Sequence, residues 1–109
     1  MIMLSESTKN KLKAHWGDKA DALDCMAELR VYDPLSAWQV YIYAMNPDDE
    51  NEISILVSVN AGIPPFLTNA TMHEINTLFN KDGEKFKIDV EYRPRNVGIL
   101  FKSLNQGFE

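Results

Sequence analysis

Residues 38–59 read WQVYIYAMNPDDENEISILVSV, and in both halves of this stretch strongly apolar side chains alternate with a mixed set. A period of two predicts two half-buried β-strands, and the Asn-Pro-Asp-Asp residues between them are typical of a tight turn. If Met45 lies opposite Glu52, then Tyr41 faces Leu56, and the pair has one apolar and one mixed face. The stretch therefore predicts an antiparallel hairpin.

Two further segments share this period of two. In residues 27–32 apolar and polar side chains alternate before a turn, which predicts a third strand. If Tyr32 pairs with Ala37, then Ala27, Leu29 and Val31 join the same apolar face. Residues 86–92 form a fourth alternating segment. The segment 62–65 ends in two prolines, which predicts a connection and not a central strand, because proline donates no backbone hydrogen bond.

Three helices are predicted from start and stop signals. The first covers residues 5–16, with Ser5 and Ser7 as candidate caps. Thr71 and Glu74 have the capping-box spacing at the start of the second, and Asn96 caps the third. The order α-β-β-β-α-β-α predicts a single α+β domain over residues 1–109. We expect a four-stranded antiparallel sheet, made of a three-strand meander and a C-terminal strand. The helices are expected to pack on one face, over the side that carries Trp38, Ile42, Ile55 and Ile88.

The net charge of −5 is concentrated in one part of the chain. Residues 18–52 carry nine acidic and two basic side chains, which gives this segment a net charge of −7. Nucleic-acid binding depends on clustered Lys and Arg, so direct binding of nucleic acid is not expected. The chain has no long apolar run, which argues against a membrane span, and its one cysteine, Cys25, fits a reducing compartment. We therefore expect a cytoplasmic protein with neither a membrane nor a nucleic-acid partner.

The residue types that carry catalysis or bind metal form no recognised pattern in this sequence. His73-Glu74 begins a zincin-type motif, but Thr77 stands where that motif needs its second histidine. Glu74 is expected to cap a helix, and Cys25 is expected to be a small buried residue. The sequence therefore predicts no enzyme activity, no cofactor and no metal site, and a small enzyme is the least favoured alternative.

The mixed face of the sheet is the strongest candidate site. Tyrosine and methionine are enriched in protein interfaces, where a ring buries a large area at a small cost in conformational entropy. The acidic hairpin beside them offers an electrostatic contact to a protein partner with a basic surface. The predicted partner-binding residues are Tyr32, Tyr41, Tyr43 and Met45 of this tyrosine face, and Asp48, Asp49, Glu50 and Glu52 of the acidic hairpin. The alternatives are that the N-terminal helix or a second copy of the chain covers the face.

A last pattern is spread over most of the chain, and consists of residues 29–34, Trp38, Tyr41, Asn46-Pro47-Asp48, Asp89, Tyr92 and Pro94. These residues resemble a family of small uncharacterised bacterial proteins of unknown function that are often carried on plasmids and phage-like elements. The resemblance implies no catalytic residues and a mobile-element setting, in which small acidic proteins bind and block host defence complexes. We therefore expect a non-enzymatic protein-binding module that inhibits a host defence complex of the anti-CRISPR or anti-restriction type. The alternative is a homodimeric structural or accessory protein.

Overall fold

The structure is a computed structural model that describes residues 4–16, 22–59, 63–78 and 82–105. Its helices are α1 (Glu6–Ala14), α2 (Met72–Asn76) and α3 (Val97–Asn105), and a single 3₁₀ turn covers Ala22–Asp24. Its strands are β1 (Met26–Ala27), β2 (Leu29–Tyr32), β3 (Gln39–Asn46), β4 (Asp49–Ser58), β5 (Phe66–Thr71), β6 (Lys87–Ile88) and β7 (Arg95–Asn96). Helices pack on antiparallel strands, so the predicted α+β class is confirmed.

The main sheet has five strands in the order β5-β4-β3-β2-β6, and β1 and β7 form a separate two-stranded sheet. The prediction of a four-stranded sheet is therefore wrong in strand number. The missed strand is β5, which begins at Phe66, directly after Pro65. The two prolines form the connection that the sequence predicts, but they precede a strand that pairs with β4 from Val57 to Glu52.

The predicted strand over residues 86–92 is correct only for Lys87 and Ile88. Beyond them the chain turns, because the Asp89 carboxylate accepts a hydrogen bond from the Glu91 amide at 3.1 Å. The Tyr92 amide donates to the Asp89 carbonyl oxygen at 3.2 Å, which closes the turn. A local aspartate turn therefore wins over the alternating pattern.

The hairpin of β3 and β4 follows the predicted register at one end and departs from it at the other. Pairing runs as expected from Gln39 with Ser58 to Ile42 with Ile55, and then Ala44 pairs with Ser54. Tyr43 is thus an extra residue on β3, which is the geometry of a β-bulge. Because a slip of one residue moves side chains to the other face, the bulge exchanges the predicted faces of Ala44 and Met45.

The pairing of β2 with β3 is shifted by two residues from the prediction, because Tyr32 lies opposite Gln39 and not Ala37. A shift of two residues keeps Leu29 and Val31 on their expected face, whereas Ala27 lies on the opposite one. The segment 27–32 is nevertheless not one strand, since it breaks at Glu28, whose amide donates to the Ile42 carbonyl oxygen at 2.9 Å. The break separates β1 from β2.

Apolar side chains are buried on both faces of the main sheet. On the first face, α1 and α2 cover a core that contains Leu12, Val31, Val40, Ile42, Met45, Ile53, Ile55, Val57, Val59 and Ile75. On the second face, α3 covers a core that contains Cys25, Ala27, Tyr41, Tyr43, Ala44, Leu56, Val97 and Leu100. The prediction that all helices pack on one face is therefore wrong, because α3 packs on the other.

The predicted helix caps are confirmed at all three helix starts. The Ser5 hydroxyl accepts a hydrogen bond from the Thr8 amide at 3.1 Å. Thr71 and Glu74 form a complete capping box at α2, and the Asn96 side chain accepts from the Ile99 amide at α3. None of the helices in the described ranges has both the length and the hydropathy needed to cross a membrane.

Candidate functional site

The tyrosine face is not an open surface in this fold. Tyr41 is 6% exposed, Tyr43 is 7% exposed and Met45 is 1% exposed, so the expectation that these side chains are accessible is wrong. Tyr41 and Tyr43 belong to the second core, together with Val97 and Leu100 of α3, and the bulge at Tyr43 turns Met45 into the first core. Of the four predicted residues on this face, only Tyr32 keeps intermediate exposure.

A polar network holds the rim of the tyrosine face. The Tyr41 hydroxyl and the Arg30 Nε both donate to the Gln39 side-chain oxygen, at 2.8 and 2.9 Å. Arg30 also forms an ion pair of 2.9 Å with Asp89, and its guanidinium lies 4.8 Å from the centre of the Tyr32 ring. The polar groups around Tyr32 are therefore satisfied within the chain, which makes this rim a weak candidate for binding.

The acidic hairpin is exposed, but part of its charge is neutralised by α1. The Glu50 carboxylate forms ion pairs with Lys13 at 2.6 Å and with Lys9 at 3.2 Å. The hydrogen bond from Lys13, followed by that from Lys9, holds the pKa of the Glu50 carboxyl below its usual range. The same contact with Glu50 raises the pKa of the Lys9 ammonium. Glu50 thus attaches α1 to the hairpin and is a poor candidate for an external contact.

The remaining hairpin carboxylates differ in how strongly they are engaged. Glu52 accepts a hydrogen bond of 3.0 Å from the Asn46 side chain, and Asp49 accepts one from the Asn51 amide. Asp48 lies in the exposed turn, where its backbone amide donates to the Asn46 side chain. Asp48 and Asp49 are therefore the part of the predicted acidic site that is presented outward.

A second exposed feature lies at the opposite end of β3. Trp38 precedes β3 and is 42% exposed, and its ring packs edge-to-face on Phe86 with 6.3 Å between the ring centres. Leu35, in the turn before it, is 55% exposed. We call these three residues the Trp38 surface. Since β3 has eight residues, this surface lies about 25 Å from the hairpin tip, and the two do not form one site.

Trp38 was expected in the core beneath the helices, and the structure shows why it is not covered. It lies two residues before Val40, and therefore on the first face of the sheet, together with buried aliphatic side chains. The helix α1 covers the other end of this face, where Lys13 reaches Glu50. The alternation in the sequence predicts the face of Trp38 correctly, but it does not predict where along that face α1 packs.

A buried aspartate fixes the loop that carries Trp38. Asp33 is 6% exposed, and its carboxylate accepts hydrogen bonds from the Leu35 amide at 2.9 Å and from the Ser36 hydroxyl at 2.6 Å. The Asp33 amide donates to the Trp38 carbonyl oxygen at 3.0 Å, and the Trp38 amide donates to the Ser36 hydroxyl. The tryptophan is thus held in a preformed position.

Reactive side chains are not assembled into a site in the part of the chain that the structure describes. No three His, Cys, Asp or Glu side chains lie close enough together to hold a metal ion there. Cys25 is 1% exposed, as expected, and its Sγ lies 3.8 Å from the carbonyl oxygen of His15. An open hollow beside β5 is lined by Tyr43, Leu67, Thr68 and Asn69. The residues that line this hollow do not combine a general acid, a general base and a nucleophile.

Comparison of the chain with protein-family models, with curated proteins and with solved structures finds no match.

Proposed function

We propose that this chain is a non-enzymatic module that binds a protein partner through the Trp38 surface. The observation that carries the proposal is that a tryptophan ring is 42% exposed while hydrogen bonds hold its backbone on both sides. Tryptophan is among the residues that contribute most to binding energy when a partner buries them. Apolar groups exposed together on a small domain are typical of an interaction site.

Preformed geometry supports binding because the loop that carries the ring does not need to be ordered when a partner arrives. Ordering a mobile side chain or loop subtracts from the binding free energy, and the turn around Asp33 has already fixed the loop. Phe86 supports the ring from one side. The exposed part of the ring is then available as a flat contact at a small entropic cost.

The charge of the chain favours a partner with a basic surface. The net charge of −5 attracts positively charged proteins at long range, and Asp48 and Asp49 present two carboxylates at the hairpin tip. An exposed tryptophan ring also accepts a cation–π contact from arginine or lysine. The proposed partner therefore carries arginine or lysine beside an apolar groove.

The resemblance to mobile-element proteins gives a narrower proposal, in which the partner is a host defence complex and the chain inhibits it. This narrower proposal depends on the resemblance and on the acidic character of the chain. It is tested by adding the purified chain to purified restriction or RNA-guided nuclease complexes of the host. Inhibition of DNA cleavage is expected, and unchanged cleavage by every complex that the host contains would contradict it.

The wider proposal is tested with a partner captured from the native host, purified, and titrated against the chain. The Trp38→Ala variant is expected to bind about 30-fold more weakly, which corresponds to about 2 kcal/mol. The matched control is Val90→Ala, which removes a side chain that is 88% exposed in the turn after β6. Equal affinity of the Trp38→Ala variant and the wild type would show that the partner binds elsewhere.

A further inference from the structure

The outer edge of β5 is an unpaired edge of the main sheet in the described part of the chain. Strand β5 lies at one end of the five-stranded sheet, and its inner edge pairs with β4. Among the described residues, no strand pairs with its outer edge. The outward N–H and C=O groups of an edge strand can pair with another strand, so they form a ready site for a second chain.

This edge lacks the features that usually prevent pairing with another chain. Its six residues read FLTNAT, with neither a charged side chain nor a proline among them. Phe66 is 42% exposed and the nearby Ile63 is 49% exposed. The opposite edge of the sheet differs, because β6 has only two residues and one of them is Lys87. Short length and charge are common protections against edge pairing, and β5 has neither.

We propose that β5 pairs antiparallel with β5 of a second copy of this chain, across a two-fold axis at Thr68. Two-fold symmetry then places Phe66 opposite Ala70 of the second copy and Leu67 opposite its Asn69. In each of these pairs the two side chains point to the same side of the sheet. The two main sheets therefore join into one continuous sheet with their faces in register. The small Ala70 leaves space for the exposed Phe66 ring.

Charge favours a second copy over a basic partner at this edge. The strand offers no carboxylate to a basic protein. Its flanking charges lie beyond one end only, where His73 and Glu74 lie in the first turn of α2, whereas the other end is Ile63-Pro64-Pro65. Antiparallel pairing places the charged end of one copy beside the uncharged end of the other. Two chains of net charge −5 can therefore meet here without opposing like charges.

The homodimer does not rest on the proposed partner-binding function, since it uses β5 and not the Trp38 surface. It also differs from a dimer through the tyrosine face, which α3 of the same chain covers. The homodimer that the sequence analysis gave as an alternative is therefore proposed here at the edge of β5 and not at the tyrosine face.

Sedimentation equilibrium over a concentration series tests the dimer. The wild type is expected to dimerise, whereas Thr68→Lys and Thr68→Glu are each expected to weaken dimerisation by about tenfold or more, because like charges meet at the axis. An equimolar mixture of these two variants is expected to restore the dimer, since opposite charges then meet. The control Ser7→Lys changes the charge of the exposed surface of α1 and is expected to leave the dimer intact.

Cross-linking gives a second readout that does not require the charged variants to fold. In a Thr68→Cys variant the two new thiols lie opposite each other at Cα separations of about 4.5–5.5 Å, which permits a disulfide. Cys25 is buried, so the new thiol is the accessible one, and mild oxidation is expected to produce a covalent dimer. A wild type that is monomeric at all concentrations would overturn the proposal. Thr68→Lys and Thr68→Glu variants that dimerise as tightly as the wild type would also overturn it. A Thr68→Cys variant that does not cross-link would overturn it as well.

Discussion

The Tyr92 hydroxyl donates a 2.8 Å hydrogen bond to the carbonyl oxygen of Ala27, 65 residues earlier in the chain. The Tyr92 ring also lies 5.7 Å from the ring of Tyr41, so one side chain joins the C-terminal segment to the second core. Ala27 is fully buried, and its carbonyl oxygen has little access to water when the hydroxyl is removed. Removing this contact therefore tests how much the C-terminal segment contributes to covering the second face.

Tyr92→Phe is expected to lower the free energy of unfolding by about 1–2 kcal/mol, because it leaves the Ala27 carbonyl without its donor. Urea denaturation measures the change. The control Tyr32→Phe removes a hydroxyl from a half-buried tyrosine on the rim, and its effect is expected to be smaller. If both variants unfold at the same urea concentration as the wild type, the bond between Tyr92 and Ala27 has no role in stability.

Alkaline pH provides a second test of Tyr92. Burial raises the pKa of the Tyr92 phenol from 10.0 to about 12. Since the folded state holds this proton more tightly than the unfolded state, the associated stability is complete below pH 10.0 and is lost as the pH rises towards about 12. The melting temperature of the wild type is expected to fall more steeply over this range than that of Tyr92→Phe. Parallel curves would contradict the assignment.

Asp33→Ala is expected to destabilise the protein by about 1–3 kcal/mol, because two donors in the turn, the Leu35 amide and the Ser36 hydroxyl, lose their acceptor. The same change is expected to make the Trp38 ring more mobile and more accessible to a soluble quencher. Quenching of Trp38 fluorescence measures this in a Trp16→Phe background, where Trp38 is the single tryptophan. Asp48→Ala is the control, since it removes an aspartate from an exposed turn. Unchanged quenching of Trp38 would show that the Asp33 turn does not hold the ring.

Gly98→Ala is expected to destabilise the protein, although alanine usually favours a helix over glycine by about 1 kcal/mol. A methyl group at this position lies 2.8 Å from the backbone oxygen of Leu23, and α3 therefore has to move away from the 3₁₀ turn. We expect a loss of about 1–3 kcal/mol in the free energy of unfolding. Ser103→Ala, at an exposed position of α3, is the control. A gain in stability for Gly98→Ala would exclude this close packing.

Glu50→Gln is expected to lower the melting temperature slightly at neutral pH, because it removes the carboxylate that holds Lys9 and Lys13. The pKa of Glu50 is lowered in the folded state, so the contribution of the pair is present above its ordinary pKa of 4.5 and is lost as the pH falls through the folded value. The wild type and the variant are therefore expected to converge in acid. Asp48→Asn serves as the control in the same hairpin, and a difference that persists in acid would contradict the ion-pair explanation.

The candidate site was only partly predictable from the sequence. Alternation correctly identified strands that carry tyrosines on one side, and the turn residues correctly located the acidic hairpin. These local patterns did not show that α3 and Tyr92 complete the core in which Tyr41 and Tyr43 are buried, or that the lysines of α1 pair with Glu50. The Trp38 surface was missed because a tryptophan on the apolar face of a sheet usually lies in the core.

The sequence by itself determined the features that depend on neighbouring residues. The three helix caps, the two turns around β3 and the alternating faces follow from side chains within a few positions of one another, and short-range sterics and hydrogen bonds suffice to specify them. Tertiary structure alone decided which faces are covered. Contacts between distant segments, such as Tyr92 with Ala27 and Lys13 with Glu50, depend on how the whole chain packs, and no local pattern encodes them.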